Sequence, residues 1–264
     1  MYNSIVLVKQ VPDTAHVSTD AMKEDGTVNR AALPTIFNPE DLHALEMALD
    51  VKQKYGGTVT AISMGPPKAA DVLRDCLFRG ADRAILITDR RAAGSDTLAT
   101  GYILSQAVRT IGQFDLIFGG RQAIDGDTAQ TAPQCAEKLG IPQITYAEEI
   151  LELSKESATI RRSIGNGWEM VKVKLPALLT VVDTANVPRP WAAKRMMKYK
   201  HLPLEQWGLD EINADPVRCG ISGSPTKVFK IQSVVLKKEG FTEIAPTRES
   251  IGGLIKELVA DKTI

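Results

Sequence analysis

Phe114-Asp115-Leu116-Ile117-Phe118-Gly119-Gly120-Arg121-Gln122-Ala123-Ile124-Asp125-Gly126-Asp127-Thr128-Ala129-Gln130-Thr131 is the stretch on which the fold turns. Its apolar start reads as a buried strand and Gly119-Gly120 as the stop. The residues from about Thr128 to Leu139 read as a helix. A strand that passes through a glycine-bearing turn into a helix is one half of a parallel β-α-β unit. The same grammar recurs upstream. Ser4 to Lys9 is a strand, and a helix opens at Asn38-Pro39, with Leu42, Leu45 and Leu49 on one face. Thr58 to Met64 is a strand stopped by Gly65-Pro66-Pro67, and Lys68 to Arg79 is a helix. Arg83 to Thr88 is a strand, after which Ser95 or Asp96 caps a helix to about Ile111. The alternation predicts an α/β fold with a doubly wound, mostly parallel, Rossmann-like sheet.

After Ile141 the rhythm changes. Thr159 to Ile164, Glu169 to Lys174 and Ala177 to Val182 are strand-like runs with no helices between them. Gly165-Asn166-Gly167 suits a tight hairpin, and Pro176 a bend, so an antiparallel extension of the sheet is expected. From Asn186 periodicity is lost in a proline- and glycine-rich stretch, then an amphipathic helix, about Glu249 to Ala260, carries Ile251, Leu254, Ile255 and Leu258. The expected division is an α/β domain over 1–185, an extended arm over 186–240 and a C-terminal helical segment over 241–264.

Lys plus Arg and Asp plus Glu are both 32, so nothing in the charge balance favours a nucleic-acid partner. No run of apolar residues reaches the length of a membrane span, and the start of the chain has no secretory pattern, which points to the cytoplasm. Cys76, Cys135 and Cys219 are too far apart for a disulfide framework or thiolate site. His16, His43 and His201 have no metal-ligand spacing.

The candidate chemistry lies at the ends of the predicted strands. In an open parallel sheet, ligands bind at the strands' carboxyl edge, and free amides at a helix start favour an anion such as a pyrophosphate. Gly120 to Thr131 supplies such a turn, with Thr128 and Gln130 as further donors; the alternative is a turn whose Asp127 merely caps the helix. It matches neither the Walker loop nor G-x-G-x-x-G. Asn38-Pro39-Glu40-Asp41 is either a second ligand edge or a plain helix cap, and Met64 either a purine contact or a core residue.

Taken together, Leu7 to Asp13 (L-V-K-Q-V-P-D), Phe37 to Asp41 (F-N-P-E-D), Gly120 to Gln130 (G-R-Q-A-I-D-G-D-T-A-Q) and Leu175 to Pro190 (L-P-A-L-L-T-V-V-D…N-V-P-R-P) resemble the β subunit of electron-transferring flavoproteins. The resemblance spans about residues 4 to 200 in register. It implies an adenine-nucleotide-binding α/β core that pairs with a larger α subunit, the C-terminal segment packing on that subunit. The D-G-D-T-A-Q loop is similar to the electron-bifurcating branch, in which the β subunit holds FAD, reduced by NADH. Electrons then divide between ferredoxin and, through the α-subunit FAD, a flavin dehydrogenase of acyl/enoyl-CoA or lactate type. In the non-bifurcating branch the pocket holds AMP as a structural ligand. Carried over by position, the pocket residues are Leu7, Asn38, Pro39, Glu40, Asp41, Met64, Gly120, Arg121, Gln122, Ala123, Ile124, Asp125, Gly126, Asp127, Thr128, Ala129, Gln130 and Thr131. The family's dehydrogenase-docking loop carries a Leu anchor, in whose place Ala193 stands here. Trp191, Met196 or Met197 are its expected substitutes; the alternative is a solvated basic loop with its Met and Trp side chains packed inward. A stress-protein-like ATP-binding regulator shares the alternation but not the 175–190 segment. No catalytic side chain and no metal is expected.

Overall fold

In a computed structural model the described residues are 1–13, 34–226 and 243–261; His16 and residues 227–240 of the expected arm lie outside them. The elements run β1 Tyr2–Leu7, β2 Gln10–Pro12, β3 Thr35–Phe37, α1 Pro39–Tyr55, β4 Gly57–Met64, α2 Ala70–Arg79, β5 Arg83–Ile87, α3 Thr97–Ile111 and β6 Leu116–Gly120. They continue α4 Thr131–Leu139, β7 Gln143–Leu153, β8 Ser157–Ser163, β9 Trp168–Lys174, β10 Ala177–Val181, α5 Ala193–Tyr199, β11 Glu205–Trp207 and α6 Arg248–Ala260.

A nine-stranded sheet in the order β11-β5-β4-β1-β6-β10-β7-β8-β9 organises the molecule. From β11 to β7 all pairings are parallel, while β8 pairs antiparallel with β7 and β9 antiparallel with β8. Period-two alternation sorts the central side chains onto two faces. Val6, Phe118 and Leu179 meet Ala44, Leu45 and Ala48 of α1, with α2 alongside. Their strand neighbours Ile5, Ile117 and Leu178 point the other way, toward Ile103 and Ala107 of α3 and Cys135 of α4. Helices on both faces make the sheet doubly wound.

The structure corrects the reading of the chain after Ile141 in several places. Ala177–Val181 is not part of the antiparallel extension. It enters the middle of the sheet parallel to β6, with Leu178 opposite Ile117 and Leu179 opposite Phe118. Every residue of β10 is buried, and fully burying a Leu or Val side chain contributes roughly 1.5–3 kcal/mol, which favours a site covered on both faces over an edge. The strand β7 was not expected at all; it carries the antiparallel pair β8–β9, whose Gly165-Asn166-Gly167 turn closes as predicted, with Gly165 at φ 86°. Part of the supposed arm is built into the core. β11 extends the sheet beside β5, and Leu209, Ile212 and Cys219 are buried on the α3 face.

The order matters for function because the chain steps from β1 outward to β4 and β5, then returns to the other side of β1 with β6. Between β1 and β6 the winding therefore reverses, and the connections leaving both strands diverge at their carboxyl ends. That crevice is where an open α/β sheet admits a ligand.

Candidate nucleotide cleft

A cleft of about 350 Å³ opens there. Leu7, Ile62, Met64 and Leu104 give it an apolar wall, and Gly119 to Ala123 with Thr128 to Ala132 form its polar side. The polar side is held by the start of α1. Asn38 was expected to cap that helix with its side chain but makes no such bond. Its Nδ2 instead donates to Gln122 O (2.8 Å), and its Oδ1 accepts from the Ile124 amide (3.2 Å). Glu40 accepts from Arg121 Nη2 (2.7 Å) and the Gln122 amide (2.9 Å). Asp41 accepts from the amides of Gly120 (2.9 Å) and Lys9 (2.8 Å), joining the exits of β6 and β1. A Cβ on Gly120 would stand 2.5 Å from Asp41 Oδ1, so only glycine lets the strand end lie this close to the helix.

Burial pushes the Asp41 carboxyl up to about 7, the nearby Glu40 charge adding to the rise while the Asn38 side chain and the Gly120 and Lys9 amides oppose it. On the outer side Lys9 Nζ grips Asp125 (2.7 Å). Arg121 lies over the Tyr146 ring at 5.8 Å.

Between these anchors the loop adopts a path no helix could follow. Asp127 (φ 47°) and Ala129 (φ 54°) are both left-handed without being glycine, a conformation that persists only where the surroundings impose it. α4 consequently begins at Thr131, not Thr128, and Asp127 is no helix cap; its carboxylate accepts from Gln122 Nε2 (2.9 Å). Among the described residues, the consecutive amides of Thr128, Ala129, Gln130, Thr131 and Ala132 donate to no protein acceptor. Free amides in sequence at a helix mouth form a concavity for an anion. An added Cβ on Gly126 would meet nothing within 4 Å, so the space over it is open to a ligand. These features fit a phosphate-bearing nucleotide.

The structure thus brings Leu7, Asp41, Met64, Gly120, Arg121, Gln122, Ala123, Asp125, Gly126, Thr128, Ala129, Gln130 and Thr131 to the cleft. Asn38, Pro39, Glu40, Ile124 and Asp127 do not line it; Asn38 and Glu40 hold the loop from behind. The sequence reading missed the opposite wall, Ser95, Asp96, Thr97 and Thr100 at the start of α3. The signal was present, since a capped helix after β5 must begin on the same edge of a parallel sheet. Thr97 Oγ1 lies 3.2 Å from Gln130 Oε1, which ties the two helix mouths together.

Elsewhere, the segment expected to dock a partner is fastened to α2. Trp191 Nε1 donates to Asp75 Oδ1 (2.8 Å), and its ring meets Phe78 edge-on with centroids 5.7 Å apart. Arg195 donates to the carbonyls of Leu77 and Ala81. Ala193 is exposed, Met196 half-buried and Met197 80% exposed. All three cysteines are buried, and burial raises each thiol, Cys135 to about 12, so none presents a thiolate. Among the described residues no cluster of His, Cys, Asp or Glu could hold a metal, and no helix is long and apolar enough to cross a membrane.

Comparison with known proteins shows the family of the chain. A family model described as "Electron transfer flavoprotein domain" matches residues 25–211. The chain is 43% identical to the electron transfer flavoprotein subunit beta of Clostridium acetobutylicum, with 97% of each chain covered. The chain belongs to the electron transfer flavoprotein β-subunit family. It is also 44% identical to the electron transfer flavoprotein subunit beta of Megasphaera elsdenii, over 98% of this chain and 99% of that one. To the caffeyl-CoA reductase-Etf complex subunit CarD of Acetobacterium woodii it is 39% identical, over 98% of each. Electron transport is thus the province of this flavoprotein family member, and its cleft lies where an α/β sheet takes a nucleotide.

Proposed function

We propose that this chain is the β subunit of a heterodimeric electron transfer flavoprotein of the bifurcating kind, and that its cleft holds FAD. The carrying observation is the run of free amides from Thr128 to Ala132 beside the open space over Gly126. When bound, FAD supplies the redox chemistry, accepting hydride from NADH and releasing electrons to ferredoxin and, through the α-subunit FAD, to a dehydrogenase. The chain's own residues do the rest. The amides of Thr128 to Ala132 meet the negative charge of a diphosphate, with the Thr128 hydroxyl and Gln130 carboxamide as further partners. Leu7, Ile62, Met64 and Leu104 exclude water on the apolar side. Asn38, Glu40 and Asp41 hold the loop in its binding shape before the ligand arrives, which lowers the cost of ordering it on binding. The name of the Acetobacterium relative, a subunit of a caffeyl-CoA reductase complex, supports a partner of the acyl/enoyl-CoA dehydrogenase type over a lactate type.

A second reading, AMP held as a structural ligand, is favoured by the size of the cleft. About 350 Å³ lies near the lower end of small-molecule sites, roughly 300–1,000 Å³. Mass spectrometry of the nucleotides released from the chain co-purified with its α subunit decides the matter. Roughly two FAD per heterodimer is the expected result; FAD together with AMP would establish the second reading instead.

A further inference from the structure

Asp96 lines the cleft, and its neighbour Thr97 touches Gln130, one of the residues whose amides are free. A bare carboxylate in that position would repel the anion that the amides attract. Both of its oxygens are engaged. Oδ1 accepts from the Leu98 and Ala99 amides, each at 3.0 Å. Oδ2 accepts from the amide (3.1 Å) and hydroxyl (2.7 Å) of Thr226, which comes from the distant C-terminal part of the chain. Burial pushes the Asp96 carboxyl up, but the bonds from Ala99, Thr226 and Leu98 outweigh it and hold the group below its ordinary value. It is a charged group throughout the neutral range.

The arrival of Thr226 is itself specified. Ser224, buried, accepts the Asp96 amide (2.8 Å) and donates to Gly220 O (2.7 Å), while Ser95 Oγ accepts the Gly220 amide (2.9 Å). Gly220 has φ 61°, and a Cβ there would strike the Arg91 carbonyl. The turn over 219–226 is therefore locked to the residues that open α3.

We infer that this turn belongs to the electrostatic wall of the cleft: the two donors of Thr226 fix Asp96 Oδ2 in place and offset part of its repulsion of a phosphate-bearing ligand. Asp96 and Thr226 are a positioning pair, and the inference rests on the nucleotide reading of the cleft given above. Thr226 does not itself line the cleft, and no feature of the binding loop would single it out.

The test uses the full chain freed of nucleotide, titrated calorimetrically with ADP and with adenosine. Thr226→Val should weaken ADP binding roughly tenfold at low salt, because the hydroxyl's charge-assisted bond to Oδ2 is lost and only the backbone amide remains on that oxygen. The deficit should shrink in roughly 0.5 M salt, where screening is strong, and adenosine, which carries no phosphate, should bind as before. In an Asp96→Asn background, which keeps a good helix cap, Thr226→Val should have no further effect on ADP. Wild-type ADP affinity in Thr226→Val would overturn the inference. So would an equal, salt-independent loss for both ligands, or an undiminished loss in the Asp96→Asn background; each would make the turn a structural brace only. Failure of the wild-type chain to bind either compound would instead bring down the nucleotide reading, and this inference with it.

Discussion

Two residues carry the sharpest consequences. Gly126 has open space where a side chain would project, so Gly126→Leu should leave the fold intact and fill the cleft. The expected outcome is loss of nucleotide from the β site, with the α-subunit flavin retained and thermal unfolding of the chain unchanged. Retention of nucleotide at wild-type stoichiometry would remove this loop from the site. Asp41 makes a prediction about pH. Its carboxyl is raised, so its contribution to stability is present below the unfolded value and lost as pH climbs through about 7. Relative to Asp41→Asn, the chain should lose up to about 4 kcal/mol of unfolding free energy between roughly pH 4 and pH 7. Urea denaturation of both proteins across that range measures it; a constant difference would mean that Asp41 titrates like a surface carboxylate. What the sequence could not disclose at this scale was the division of labour around α1. Asn38, Pro39, Glu40 and Asp41 all looked alike as ligand residues, but only Asp41 reaches the cleft. A side chain aimed at a loop 80 residues away leaves no local periodicity to read.

Among the elements, those with strong patterns were legible and those defined by distant partners were not. The alternation from β1 to α4 is written in apolar runs, caps and glycine stops, and the structure follows it to within a few residues, the short antiparallel pair β2–β3 excepted. β7 was obscured because register shifts between Ala147 and Glu149 and between Ile150 and Glu152 break its alternation, and Tyr146 has a positive φ. β10 was seen as a strand, but its direction and neighbours depend on a place between β6 and β7 that no local signal marks. β11 is only 3 residues long. The α5 region shows how an exposed, aromatic and cationic loop can also be fastened to the core. Trp191 is 52% exposed yet bonded to Asp75 and packed on Phe78, so Trp191→Ala should cost about 1–2 kcal/mol of stability. Met197→Ala should cost almost nothing and weaken capture of a dehydrogenase, if this segment docks one. Differential scanning calorimetry and gel filtration with the dehydrogenase separate the two effects; an unaltered complex with Met197→Ala would leave α5 without a docking role.

At the scale of the molecule, α6 has no buried residue, and Ile251, Leu254, Ile255 and Val259 are all exposed. An apolar helix stripe left in water is a liability for a chain of zero formal charge, which accords with the proposal that the α subunit covers it. Ile255→Glu should then abolish co-purification with the α subunit while the circular dichroism of the chain stays as in the wild type; undisturbed co-purification would place the subunit contact elsewhere. The sheet has one more consequence. Because β10 is inserted between β6 and β7, a growing polypeptide that has emerged only as far as Leu153 has both flanking strands but not the one that joins them. Translation must deliver the stretch from Ala177 to Val181 before the centre can close, so ribosome-bound chains truncated ahead of it should remain protease-sensitive throughout, however much of the upstream alternation they already contain.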